Sequence, residues 1–167
     1  NDQGTTDELL DDTWEYAQTL FASDAFLGDQ FGSGMALDED LLVVGAWGDD
    51  NSIPGVALGG DDTTIDCNAE LSSINGAYNG LTLTFTSGAL MGTSATIATY
   101  NGALRRITLA AALPSVPGVG DQFVITAVDA GALYVFRFDG TSWNIEDKLQ
   151  AGDPRIGLAL GRELAVS

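Results

Sequence analysis

Carboxylates are the most abundant groups in this sequence that could do chemistry. The chain has 24 Asp and Glu residues and one cysteine, but no histidine. Without histidine there can be no His/Cys metal centre and no Ser-His-Asp or Cys-His nucleophilic site. Paired acids such as Asp38 with Asp40, or Asp61 with Asp62, could in principle serve a glycosidase, but nothing marks one pair as catalytic. We therefore predict that the protein is not an enzyme.

A hard cation suits these acids better than catalysis does, because Asp and Asn oxygens clustered in loops are typical calcium ligands. Asp49, Asp50 and Asn51 follow one another directly after an apolar segment. Asp129 would join them if the chain returns to the place where it left. These four residues are the candidate calcium site, turn capping by the same side chains is the favoured interpretation, and no other cofactor is expected.

Two strands and a turn should carry the first three of these ligands. Met35 and Leu37 alternate on one strand, residues 38–40 reverse the chain, and residues 41–46 are a short apolar run bounded by glycine. The expected partners come much later in the chain. Residues 131–138 are predicted to form a third strand and residues 143–149 a fourth, joined by a turn at residues 139–140. Together they predict a four-stranded antiparallel meander.

Three short motifs within these strands follow one another in a characteristic order. They are Phe31-Gly32, Val43-Val44-Gly45-Ala46 and Gly131-Ala132-Leu133-Tyr134-Val135-Phe136. In this order they resemble the FG-GAP repeat, the blade unit of integrin-alpha-type β-propellers. The resemblance covers residues 13–50 and 129–167 and implies an all-β fold with incomplete, propeller-like antiparallel blades. The calcium loop that the family often carries before its second strand has no counterpart here, because residues 38–41 are too short to supply one.

An internal repeat extends the resemblance to both ends of the chain. Trp14 and Leu20 have the same spacing as Trp143 and Leu149, and the match continues to residues 24 and 153. Residues 34–37 align with residues 157–160, and residues 42–44 with residues 164–166. Such repetition is typical of propellers and arrays. We therefore predict one strand over residues 14–22, with a short helix as the alternative there, and the first strands of another blade over residues 157–166.

The region between the two halves of the blade does not resemble the repeat. Residues 51–79 are rich in Gly and Asn and are expected to be mostly turns and loop. Alternating or β-branched runs predict strands near residues 81–86, 94–100, 104–109 and 122–128. We predict that residues 51–128 are a separate inserted β-module of about four strands. Its phrases at residues 86–90 and 120–125 weakly resemble β-domains of phage structural and bacterial surface proteins.

Charge restricts the partners and the location of the protein. The formal net charge is −18, which disfavours nucleic acid and anionic membrane surfaces as partners. No apolar run reaches the roughly 18 residues of a membrane span, so membrane insertion is not expected. The sequence begins at Asn1 without a charged and apolar leader, and we expect either a processed chain or a fragment that is secreted, extracellular or attached to the cell surface. Residues 1–12 are expected to form an acidic tail.

The resemblance leads to two hypotheses, because a closed propeller needs about 4–8 blades and this chain offers only one with parts of two others. In the first, the protein is a structural subunit of an extracellular, pilus-like fibre, and copies join head to tail by strand complementation. Its assembly interface would comprise Trp14, Arg155, Leu158, Leu160, Arg162, Leu164 and Val166. In the second, the chain is an adhesion or ligand-binding part of a larger FG-GAP propeller that contacts cell-surface glycans or proteins.

Overall fold

The computed structural model describes residues 15–152 and 154–165, and all the regular secondary structure in this part is β. The all-β prediction is therefore confirmed. The strands are β1 Phe31–Asp38, β2 Leu41–Ala46, β3 Asn51–Gly60, β4 Thr64–Cys67, β5 Thr82–Phe85, β6 Ser94–Asn101, β7 Arg106–Leu109, β8 Gln122–Ala127, β9 Ala132–Phe138 and β10 Trp143–Gln150. They form an open four-stranded sheet and a closed six-stranded barrel.

The open sheet has the strand order β1-β2-β9-β10, and each neighbouring pair is antiparallel, as the sequence predicted. The register of the central pair places Val44 opposite Tyr134 and Gly45 opposite Leu133. Since side chains alternate along each strand, the sheet has two distinct faces. We call the face with Val44, Tyr134 and Phe136 the inner face, and the face with Gly45 and Leu133 the outer face.

Each face of the sheet is covered by a different flank of the chain. On the inner face, Ala22 and Leu20 pack with the buried side chains of Val44 and Tyr134. On the outer face, Gly161 lies against Gly45, and Leu160 forms an isolated parallel bridge with Gly131. The segment before β1 and the segment after β10 therefore lie on opposite sides of the same sheet.

The contact between Gly45 and Gly161 requires that neither residue has a side chain. A Cβ atom on Gly45 would overlap the carbonyl oxygen of Gly161, and Gly161 has a φ of 90°. The Ser33 hydroxyl bridges the two backbones: it donates to the carbonyl oxygens of Gly45 at 3.3 Å and of Gly161 at 3.5 Å. Glycine is favoured where two backbones approach each other this closely, because it has no Cβ atom.

The predictions of strands at the two ends of the chain are wrong for the residues that the structure describes. Residues 15–22 form no strand; instead, the Gln18 side chain donates to the carbonyl of Trp143 and accepts from its N–H, both at 2.8 Å. Residues 157–165 contribute only the bridge at Leu160. Left-handed φ angles at Gly157, Ala159 and Gly161 prevent an extended strand there.

The barrel has the order β3-β4-β7-β6-β5-β8, so closure depends on β3. Its first half pairs with β8 and its second half with β4. The prediction of mostly turns and loop over residues 51–79 holds for residues 68–79, but it is wrong for residues 51–60 and 64–67, which are strands. The misleading signal was glycine: Gly55 is needed to make room for the ring of Phe123, and Gly59 lies beside a register shift in the pairing with β4.

The barrel interior is filled by apolar side chains, and its two connections to the sheet run side by side. The largest fully buried residues include Ile65, Leu81, Leu83, Phe85, Ile97, Ile107, Phe123 and Ile125. The chain enters the barrel after β2 and leaves it before β9. There, the N–H of Gly131 donates to the carbonyl of Asp49 at 2.8 Å, and the N–H of Asp129 donates to the Asp50 carboxylate at 2.9 Å.

Candidate functional site

The main polar cluster of the described chain lies where the sheet meets the connection to the barrel. It comprises Asp24, Asp49, Tyr134 and Lys148, which we call the junction cluster. Tyr134 is fully buried in β9, and Lys148 lies opposite it on β10. Asp49 follows β2 and is only 3% exposed. Asp24 comes from the flank that covers the inner face, so four separate segments meet here.

The geometry of the cluster is that of a hydrogen-bonded ion pair with a shared phenol. The Lys148 ammonium donates to Asp24 at 2.7 Å and to the two oxygens of Asp49 at 2.8 and 3.0 Å. The Tyr134 hydroxyl lies 2.7 Å from an oxygen of Asp24 and 2.8 Å from one of Asp49. A phenol has one proton, so it donates to one carboxylate at a time. The ammonium also lies 5.2 Å from the centroid of the Tyr134 ring.

The protonation states follow from burial and from the neighbouring charges. Burial raises the pKa of Tyr134, and hydrogen bonds to Asp24 and Asp49 raise it further, so the phenol keeps its proton. Burial alone would lower the pKa of Lys148, but the two carboxylates outweigh it and leave that pKa raised. The hydrogen bond from Lys148 is the main reason why the pKa of Asp24 is lowered. The cluster therefore holds two carboxylates around one ammonium.

The cluster connects separate segments of the chain by hydrogen bonds and an ion pair. The ammonium occupies the place between the carboxylates where a cation would bind. Because Asp49 is buried, the loss of Lys148 would leave an unpaired charge in the interior, which costs several kcal/mol. The junction cluster thus ties the flank before β1 to the sheet and to the connection that enters the barrel.

The four residues predicted to bind calcium lie near one another but have different contacts. Asp49 faces Lys148, Asp50 accepts from the N–H of Asp129, and Asn51 donates from its side chain to the carbonyl of Ala151 at 3.3 Å. In the described residues, no group of three or more His, Cys, Asp or Glu side chains is placed to hold a metal. Calcium binding at Asp49, Asp50, Asn51 and Asp129 stays a prediction.

Five of the residues predicted to form an assembly interface lie in the described segment after β10: Arg155, Leu158, Leu160, Arg162 and Leu164. Leu158 is 44% exposed, and Leu160 and Leu164 are half-buried. Arg155 is exposed, and the Arg162 guanidinium lies 6.0 Å from the centroid of the Trp47 ring. Trp14 and Val166 lie outside the described residues. An interface between copies at these positions stays a prediction.

Sequence reasoning selected Asp49 but missed the other three members of the junction cluster. Two signals were present. Lys148 is the single lysine of the chain, and Asp24 ends the segment that repeats at residues 143–153. Neither signal shows that Lys148 faces Tyr134, because a register shift between Ile145 and Asp147 decides which side chain of β10 points inward.

Comparison with known proteins gives one match, to the model of the FG-GAP repeat, at residues 14–62. In the structure, the described part of this range comprises the flank over the inner face, β1, β2 and β3. No curated protein and no solved structure matches the chain significantly. In the described residues, no helix is long and apolar enough to cross a membrane. FG-GAP repeats are generally non-enzymatic and typical of extracellular or cell-surface proteins, and residues 14–62 are similar to this repeat.

Proposed function

We propose that this chain is an adhesion or ligand-binding unit of an extracellular FG-GAP β-propeller, with the open sheet as one blade. The observation that carries the proposal is the placement of the two flanks. The segment before β1 covers the inner face, and the segment after β10 covers the outer face. Blades that follow one another around a propeller are stacked in this way, with the preceding unit on one side and the following unit on the other.

Exposed apolar side chains support further packing against this sheet. Phe21, Phe26 and Leu27 of the first flank are 72%, 82% and 96% exposed, and Met35 and Leu37 of β1 are also exposed. Apolar patches of this kind mark places where another protein surface binds. Neighbouring blades are the partners that the FG-GAP match suggests.

We assign the binding role to the inserted barrel. It contains its own core and is joined to the blade by two adjacent connections, an arrangement in which an insertion leaves its host intact. Residues 51–128 would then fold as a module that the blade holds away from the propeller. We propose that cell-surface glycans or proteins bind there.

The test replaces residues 51–128 by a short turn and compares this deletion with the complete chain. We expect the deletion to keep its β-sheet signal in circular dichroism but to lose binding to cell surfaces, measured by flow cytometry with labelled protein. Binding that survives the deletion would refute the assignment to the barrel. Complete loss of β structure would show that the two parts share one core, and the module proposal would fail.

A second candidate is the pilus-like fibre, which the two open edges of the sheet favour. Strands β1 and β10 each have a neighbour on one side only, and both carry exposed apolar residues, among them Met35 and Ile145. Such edges are templates for pairing with another chain. Electron microscopy of the purified chain tests this candidate, with a variant lacking residues 155–167 as the comparison. Long particles that shorten on truncation would support it, whereas a discrete particle of 17.3 kDa would exclude it.

A further inference from the structure

A groove runs along the first half of β3, between this strand and residues 68–72. It consists of two depressions of about 300 and 330 Å³. Pro54 and Glu70 line both of them, so the two depressions adjoin along β3. One end lies near Thr86 and Gln122, and the other lies near Gln150, beside the sheet.

The wall opposite β3 is held firmly by the barrel. The Asn68 carboxamide accepts from the N–H of Val56 at 3.0 Å and donates to the Glu70 carboxylate at 3.0 Å. Ser72 is fixed from both sides, since its N–H donates to the Tyr78 hydroxyl and its carbonyl accepts from the Tyr100 hydroxyl. Glu70 thus projects from a loop that is already ordered, which reduces the entropy cost of binding a ligand.

The lining of the groove combines apolar and polar groups and contains no cation. Its polar side chains are carboxamides, hydroxyls and one carboxylate, from Asn51, Ser52, Asn68, Glu70, Ser72, Tyr78, Thr86, Gln122 and Gln150. Asn51 is 4% exposed, and its side-chain oxygen has no hydrogen-bond partner in the described part of the chain. A buried polar atom without a partner is costly, and a ligand hydroxyl would satisfy it.

This chemistry selects among the classes of ligand. An anion is disfavoured by Glu70 and by the net charge of −18. An extended peptide that adds a strand needs free backbone groups, but both those of Val56 are bonded to Asn68 and Pro54 has no N–H. Carboxamides, hydroxyls and a carboxylate, set among apolar side chains in two adjoining depressions, suit the hydroxyl groups and the C–H faces of a sugar chain.

We propose that the groove between β3 and residues 68–72 binds a linear oligosaccharide without carboxylate or sulfate groups. The inference rests on the proposed function, because it takes from it the binding role of the barrel. It goes further by naming the class of ligand that the barrel binds.

The test is binding of the complete chain to cellohexaose, to a chitosan hexamer and to hexagalacturonate, measured by isothermal titration calorimetry. Ser52 is exposed in the groove, and Ser94 is an exposed serine on β6 outside it. We expect Ser52→Tyr to weaken binding at least about tenfold by filling the groove, and the matched variant Ser94→Tyr to change it by less than about twofold. Glu70→Gln, which keeps the shape of the side chain, should weaken the chitosan hexamer more than cellohexaose.

Three outcomes would overturn the proposal: neither neutral nor amino-bearing hexamer binds, hexagalacturonate binds best, or both Tyr variants bind alike. Cell binding that is equal for Ser52→Tyr and the unaltered chain would reject this groove and leave the adhesive function standing. If the barrel deletion loses cell binding but the complete chain binds none of the sugars, the groove is likewise rejected and the adhesive function stands. Absence of both cell binding and sugar binding would remove the two proposals together.

Discussion

The barrel and the open sheet are built from similar strands, but they satisfy their edges and interiors differently. In the barrel, each strand is paired on both sides along at least part of its length, and the interior is apolar. The sheet leaves one side of β1 and one side of β10 unpaired and relies on two flanking segments to cover its faces. The barrel is therefore stabilised by its own residues, whereas the sheet depends on the segments before β1 and after β10 that cover its two faces.

The same contrast holds for buried polar groups. Buried polar or charged residues of the described chain are Asp29, Asp49 and Asn51, all near the sheet or its connection to the barrel. Inside the barrel, burial raises the pKa of Cys67 and of Tyr100, each to about 12, so these two groups stay neutral. The barrel is held mainly by apolar packing, and the sheet in addition by a buried ion pair.

The largest effect is expected in the barrel core. Phe123 is 1% exposed, and its ring packs edge-on against Phe85 with 6.1 Å between centroids. Phe123→Ala should lower the free energy of unfolding by about 3–5 kcal/mol, because it leaves a cavity in a closed core. Urea unfolding followed by circular dichroism measures it. The matched change Leu37→Ala, at an exposed position of the sheet, should cost less than about 0.5 kcal/mol. Equal losses would mean that the sheet surface is covered, for example by a second copy.

The next effect tests the junction cluster. Lys148→Met keeps the length of the side chain but leaves the Asp49 carboxylate, whose side chain is 4% exposed, without its cation. We expect a loss of about 3 kcal/mol, at the lower end for a broken buried pair. Arg106→Met removes the partner of Asp66 on the barrel surface, where both side chains are more than a third exposed and the ion pair is screened by solvent, so it should lose much less stability than Lys148→Met. If both variants lose the same amount, the junction cluster is no more than a surface pair.

A smaller effect is expected where the outer face meets the last segment. Gly45→Ala places a methyl group against the Gly161 carbonyl, and the last segment must shift, at a cost of about 1–3 kcal/mol. Gly152→Ala is the control, because a Cβ atom there meets nothing within 4 Å. Limited proteolysis should cleave residues 154–165 faster in Gly45→Ala than in the control. Unchanged cleavage would show that the close contact does not hold this segment.

The sheet was more predictable than the barrel for a physical reason. Residues 41–46 and 132–138 are apolar runs bounded by turns, so their strands and their antiparallel pairing follow from local pattern. β3 contains Pro54 and Gly55 and has no such pattern, because its conformation depends on the Phe123 ring and on pairing with strands far along the chain. Local signals cannot reveal a strand that is fixed by distant contacts.

The candidate sites divide in the same way. Asp49 could be selected because it follows a strand and lies in an acidic run. The ion pair could not, because its geometry requires the inner-face flank, a shifted register in β10 and a turn after β2 to meet. The groove beside β3 could not be foreseen either, because the proline and glycines of this strand are typical of a loop.

The smallest expected effect is the pH dependence of the free energy of unfolding that comes from Asp24. The pKa of Asp24 is lowered in the folded chain, mainly by the hydrogen bond from Lys148, so folding favours its charged form. This contribution is present above the unfolded pKa, near 3.8, and is lost as the pH falls through the lower folded value. The Asp24 side chain is 55% exposed, so solvent screening limits the contribution to less than about 1 kcal/mol.

We therefore expect Asp24→Asn to destabilise the protein at pH 6 and to differ less from the unaltered chain at pH 3, as measured by urea unfolding. In a Lys148→Met background, the same change should have a smaller effect at pH 6, because the ammonium that lowers the pKa is gone. An undiminished effect in that background would assign the role of Asp24 to Tyr134 rather than to Lys148.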